Sequence, residues 1–94
     1  MNLKELHTDK EVSARSIAQQ LQSDVIAIQI MEEGTLKEHI SKVLAVLFCV
    51  VGKVKYGDEH GTSIDLVPGD FHHIEPMIKH WVNAAERSQL LLVK

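Results

Sequence analysis

The chain is short of several things, and each shortage narrows what it can be. Cys49 is its only cysteine, so no internal disulfide can form, which fits a reducing cytoplasm as the expected compartment. Lysine and arginine are scattered rather than clustered, and the formal net charge is -3. A nucleic-acid partner would be met by a basic face, so none is expected. The longest apolar run, "VLAVLFCVV" from Val43 to Val51, is too short to span a bilayer as a helix, and no membrane association is expected. The residues after Met1, "NLKELHTDKE", contain no apolar signal region. Internal repeats, low-complexity stretches and linkers are also missing. No nucleophile elbow, phosphate loop or Ser/His/Asp order points to a metal-free hydrolase.

What is present is ordinary globular material: 94 residues, 45% hydrophobic and 24% charged. That is one domain, residues 1–94, with a single modest core. Residues 1–12 read as a polar leader and about 24–94 as the folded body. Between them, Ala14, Ile17, Ala18 and Leu21 recur at helical spacing, and Thr8 and Glu11 stand at capping-box distance. This predicts one short helix over 9–22, with a short edge strand at "SIAQQL" as the rival.

From Val25 onward the pattern is that of strands. "VIAIQIM" is β-branched and nearly continuous. "EEG" turns the chain, its two glutamates reading as a solvated corner, and "TLKEHIS" is a short extended piece. "VLAVLFCVVGKVKY" is one long strand or two, cornered at Gly52. "GDEHG" is a hairpin turn that leaves His60 solvated. "TSIDLV" returns, "PGD" turns again, and "FHHIE", "WVN" and "SQLLLVK" complete the set. Short strands with turns every eight to twelve residues predict an all-β barrel or sandwich.

Six histidines stand out, three of them in "PGDFHHIEPMIKHW". His72 and His73 are adjacent on a predicted strand, so they point to opposite faces and only one can join His80. His72 shares its phase with Ile74 and goes inward if Ile74 packs in a core. His73 shares its phase with Phe71. His7, in the leader, reads as solvated. Trp81 directly follows His80 and points away from it, towards core or dimer packing.

The order Gly34, His39, Gly52, Gly61, Pro68-Gly69-Asp70, Pro76, His80, Asn83, with "GTLKEHISKVLAVLFCVVG" and "PGDFHHIEPMIKHWVN" as its two halves, resembles the cupin superfamily over about residues 25–94. The resemblance implies a double-stranded β-helix, a small jelly-roll barrel of antiparallel strands. It also implies a metal set of His-x-His, a glutamate and a further histidine, which aims nitrogen and oxygen ligands into the barrel. His39 and His80 match. Ser41 stands in place of the second histidine and Ala45 in place of the glutamate, as in small cupins with one first-motif histidine. His73 occupies a position often aromatic or polar in cupins, so it is taken as the pocket residue of its pair.

The expected ligand pocket is therefore His39, Ser41, Ala45, Cys49, His73 and His80. His39, His80 and His73 are the candidate ligands for a divalent transition metal (Zn, Ni, Mn or Fe), with Cys49 a soft addition. Two functions compete. One is a non-enzymatic domain binding a small polar molecule, with His39 and His80 donating to a carboxylate, sugar or similar group. The other is a metal-dependent enzyme of dioxygenase, isomerase or epimerase type. Homodimerisation through residues 13–31 or one sheet face is compatible with both.

Overall fold

Strand pairing in the computed structural model, which describes residues 2–18 and 23–94, divides the chain into two antiparallel sheets. Nine strands follow in order: β1 Val12–Ala18, β2 Val25–Ile30, β3 Thr35–His39, β4 Ala45–Val51, β5 Val54–Asp58, β6 Ser63–Leu66, β7 Phe71–Ile74, β8 His80–Ala84 and β9 Ser88–Val93. One sheet has the order β1-β2-β9-β4-β7 and the other β3-β8-β5-β6. Among the described residues no helix is long and apolar enough to cross a membrane.

The period-two pattern decides which side chains meet between the sheets. Ile28, Ile30, Leu47, Cys49, Ile74, Leu90 and Leu92 come from the first sheet, and Val54, Tyr56, Leu66, Val82 and Ala84 from the second. Each large apolar side chain removed from water here contributes roughly 1.5–3 kcal/mol. The run from Val43 to Tyr56 is two strands in different sheets. The corner is Gly52, at φ 93°, where a Cβ would come within 2.5 Å of the Arg87 carbonyl oxygen. Only glycine fits both the left-handed backbone and the close approach. Gly69 takes φ 98° in the "PGD" turn.

The helix expected over 9–22 does not form over its described part. Residues 12–18 are an edge strand paired with β2, Val12 opposite Ile30 and Ser16 opposite Ile26. Ala14 and Ile17 of the supposed apolar stripe are exposed. Glu11, expected to cap, instead accepts from the Thr35 amide at 3.0 Å. Pairing across the sheet outweighs a weak local helical preference. Leu21 and the end of "SIAQQL" lie outside the described residues. Among the described residues the one helical turn is a 3-10 helix at Leu3–Leu6, inside the leader and capped by Asn2. The leader is not a free tail. His7 is half-buried, its Nδ1 2.9 Å from Ser13 Oγ, and the Thr8 carbonyl accepts from Gln29 Nε2 at 3.1 Å.

Candidate functional site

β3 and β8 bring His39 and His80 together. The two strands pair Thr35 with Asn83 and Leu36 with Val82, then slip by one residue so that His39 lies opposite His80. Regular alternation from Leu36 would turn His39 to the far side of the sheet. The bulge re-aims it. The rings meet edge to face, with centroids 4.4 Å apart and planes at 62°.

Both imidazoles are held in the same way. His39 Nδ1 lies 3.0 Å from the Lys37 carbonyl and His80 Nδ1 3.1 Å from the Ile78 carbonyl. A carbonyl oxygen can only accept, so each Nδ1 carries the proton and donates. In the neutral ring Nε2 then carries the free lone pair. His80 is 2% exposed, while His39 lies at the surface. Burial lowers the His80 pKa. The bond to Ile78 opposes this, neighbouring His39 adds to it, Asp58 opposes and Lys94 adds. His80 is therefore neutral at pH 7.

Behind the pair lies a polar group that the motif reading missed. Tyr56, buried on β5, has its ring 6.0 Å from His80 and 4.5 Å from His72. Its hydroxyl donates to Asp58 Oδ2 at 2.9 Å, and Asp58 Oδ1 accepts the His60 and Thr62 amides at 2.9 and 3.1 Å. Burial alone would raise the Asp58 carboxyl. The bonds from Tyr56, Thr62 and His60 outweigh it and hold the group below the usual carboxylate range. Burial, then the hydrogen bond and charge of Asp58, push the Tyr56 phenol far up. Alternation along β5 carried the signal: Tyr56 shares the inward phase of Val54.

The remaining expected pocket residues divide. β7 pairs with β4 so that His72 lies opposite Leu47 and His73 opposite Val46. Leu47 is core, so His72 goes inward to Tyr56. His73 is exposed on the outer face beside Phe71, with centroids 6.0 Å apart. The choice of His73 as the inward member of the pair is thus corrected: His72 lies on the inner side and His73 on the outer, so His73 is not placed to join His39 and His80 as a ligand. Ala45 is buried in the core. Cys49 faces inward, but its thiol is committed to the Val51 and Gly52 carbonyls at 3.8 and 3.7 Å. Burial, then Asp70 and Glu86, raise its pKa, so it stays a protonated core thiol rather than a soft ligand. Ser41 is buried and its hydroxyl donates to the Val43 carbonyl at 2.7 Å. It borders a surface hollow of about 500 Å³ with Asp24, Ile40, Lys42, Val43 and Lys94. Trp81 does turn away from His80. Its indole lies over Gly57 on the outer side of the four-stranded sheet.

Among the described residues, no group of three or more His, Cys, Asp or Glu side chains converges as a metal cage would require. A catalytic zinc has three protein ligands. Here His39 and His80 offer two nitrogens, and the nearby carboxylate, Asp58, is taken up by Tyr56 and backbone amides. The donor set does not fit a resident catalytic metal.

No protein-family model and no curated protein sequence matches the chain. Solved structures do. A protein with a double-stranded β-helix domain from Klebsiella pneumoniae superposes with a TM-score of 0.84 at 15% identity, covering 99% of this chain and 85% of its own. A cupin superfamily protein from Desulfitobacterium hafniense gives 0.83 at 16%, covering 94% and 80%. A cupin-2 domain protein from Shewanella frigidimarina gives 0.80 at 16%, covering 100% and 92%. At such identities the likeness establishes the fold.

Proposed function

We propose that this chain, a double-stranded β-helix of the cupin kind, binds a small polar molecule beside His39 and His80 and holds it through their Nε2 atoms. The observation that carries the reading is the pair of Nδ1 protons committed to the Lys37 and Ile78 carbonyls. Imidazoles so fixed at Nδ1 present Nε2 as an acceptor in the neutral ring. The expectation that they donate to a carboxylate gives way to an acceptor role, and the ligand they suit is one rich in hydroxyl donors, such as a polyol or neutral sugar.

The test is thermal stabilisation by a panel of polyols, sugars and simple carboxylates, measured on the protein and on the His39→Ala/His80→Ala variant. A ligand at a hundred times its Kd adds about 2.7 kcal/mol. Stabilisation by hydroxyl-rich solutes that is lost in the variant is expected. No stabilisation, or stabilisation that survives in the variant, contradicts the reading.

A metal-dependent enzyme is the second reading. It is favoured by one point: an imidazole whose Nδ1 donates to a backbone carbonyl is also oriented for a metal at Nε2. Two such ligands fall short, so no step is derived through a metal. One tightly held equivalent of Zn, Ni, Mn or Fe, absent from the double variant, would revive it.

The outer face of the five-stranded sheet suits a second copy of the chain. Val46, Phe48, Val50, Phe71, Leu91 and Val93 form an apolar surface there, with Phe71 56% exposed and stacked 5.4 Å from Phe48. Such a face pairs with itself about a two-fold axis. Within the expected contact region, residues 13–31, the run "VIAIQI" is flanked by β1 and β9 and largely buried within the chain, and β1 is the edge strand.

A further inference from the structure

On the outer side of the same sheet, away from the histidine pair, a row of polar groups is buried under the leader. Gln29 on β2 and Gln89 on β9 lie opposite each other. Their neighbours Ile28, Ile30 and Leu90 point into the core, so both amides point outward. Yet Gln29 is 1% and Gln89 2% exposed. Gln29 Oε1 accepts from Gln89 Nε2 at 2.6 Å and from Arg87 Nη2 at 3.2 Å, and Gln29 Nε2 donates to the Thr8 carbonyl at 3.1 Å. These bonds fix the sense of both amides. Turning Gln89 over would set its oxygen against Gln29 Oε1. Turning Gln29 as well would forfeit the bonds from Arg87 and to Thr8.

So fixed, Gln89 Oε1 is a buried acceptor with no donor among the described residues. Buried polar atoms are rarely left so. Gln89 forms part of the wall of a cavity of about 170 Å³, together with Lys4, Arg87 and Val51. At about 30 Å³ per water, that is room for roughly five or six water-sized atoms. The wall carries two cationic side chains and no acidic one. Neither Lys4 nor Arg87 is in an ion pair among the described residues. Arg87 is anchored at one nitrogen by Gln29, and its other donors are uncommitted.

We infer that this cavity is a second ligand site, for a small carboxylate with a hydroxyl on the adjacent carbon. The carboxylate sits between the Lys4 ammonium and the Arg87 guanidinium. The neighbouring hydroxyl supplies the donor that Gln89 Oε1 lacks, reached by a tilt of the Gln89 amide towards the cavity. Val51 closes the apolar side. The leader contributes Lys4 and covers the amides, so occupancy also pins the leader to the sheet. None of its lining residues belongs to the His39–His80 pair, which lies on the other sheet.

The test is a titration of the full chain with glycolate, acetate and inorganic phosphate, followed by NMR of the Gln29 and Gln89 side-chain amides. Glycolate is expected to shift the Gln89 amide and to bind about tenfold tighter than acetate, which leaves Oε1 unpaired. Lys4→Gln and Arg87→Gln should each weaken glycolate about tenfold or more, whereas His39→Ala should leave it unchanged. Lys4 is exposed, so its substitution reports even if the Arg87 variant does not fold. The inference is overturned if glycolate leaves the Gln89 amide unmoved, or if its binding is indifferent to Lys4→Gln. Phosphate or acetate binding as well as glycolate would show an adventitious anion only, and would overturn the hydroxycarboxylate assignment.

Discussion

Replacing Tyr56 by Phe removes one oxygen atom and leaves the ring and its packing against His72 in place. The magnitude follows from the partners. Tyr56 donates to Asp58 Oδ2 at 2.9 Å, while the two backbone amides held by Asp58 fall on Oδ1. The variant therefore strips Oδ2 of its donor and leaves Oδ1 satisfied. A buried hydrogen bond to a charged group is worth roughly 1.5–3 kcal/mol. Taking about 2 kcal/mol and about 4–8 °C per kcal/mol for a domain of this size, Tm should fall by about 10 °C at pH 7. The linkage sign can be checked independently. The Asp58 carboxyl is lowered in the folded state, so it contributes stability above its unfolded pKa of about 3.9, lost as pH falls through the folded value. Without the Tyr56 bond its folded pKa moves up, and acid unfolding should begin at higher pH. The assay is urea and thermal melting by circular dichroism between pH 3 and pH 7. A fall of under about 2 °C, with an unchanged acid limb, would refute the claim that this bond is formed and shielded from water.

Other outcomes follow from single contacts. Gly57→Ala would set a Cβ 2.4 Å from Trp81 Nε1 and 2.8 Å from its Cε2, so the indole must move. A loss of about 1–3 kcal/mol and a red-shifted Trp81 emission are expected, and an unchanged spectrum would contradict the packing. The His80 and His7 pKa values are both lowered in the folded chain. Between the folded values and about 6.5 the unfolded chain binds more protons, so stability should decline as pH falls below 6.5. Flat stability from pH 7 to pH 5 would count against both burials. Phe71→Glu places a charge on the outer apolar face, and light scattering should show association weakened about tenfold or more. A protein that is monomeric at micromolar concentration before substitution would remove the dimer.

Much of the fold was legible because alternation and turn chemistry are local. The corner at Gly52, the "PGD" turn and the strands from Val25 onward stand where period and glycine placement put them. Helical spacing at Ala14, Ile17, Ala18 and Leu21 misled because an edge strand owes its conformation to its partner β2, a pairing that no local window contains. The site was half legible. Motif order named His39 and His80, whose meeting depends on a one-residue bulge that spacing does not reveal. Ile74 is core and His72 shares its phase, so the inward choice was within reach. It turned on whether β7 presents Ile74 or Phe71 to the interior, and that is set by its register with β4. Tyr56 and Asp58 carry no motif; they share one phase of β5, and the hairpin that follows supplies the His60 and Thr62 amides that hold Asp58.

The proposed binding depends on the state of two ring nitrogens. Long-range ¹H–¹⁵N NMR of the imidazoles at pH 7.5 tests it directly. His39 and His80 should both appear as neutral Nδ1–H tautomers with unprotonated Nε2, and a hydroxyl-rich ligand should shift the two Nε2 signals together. Nε2–H tautomers at either residue would contradict the free-acceptor pair on which the proposed binding depends.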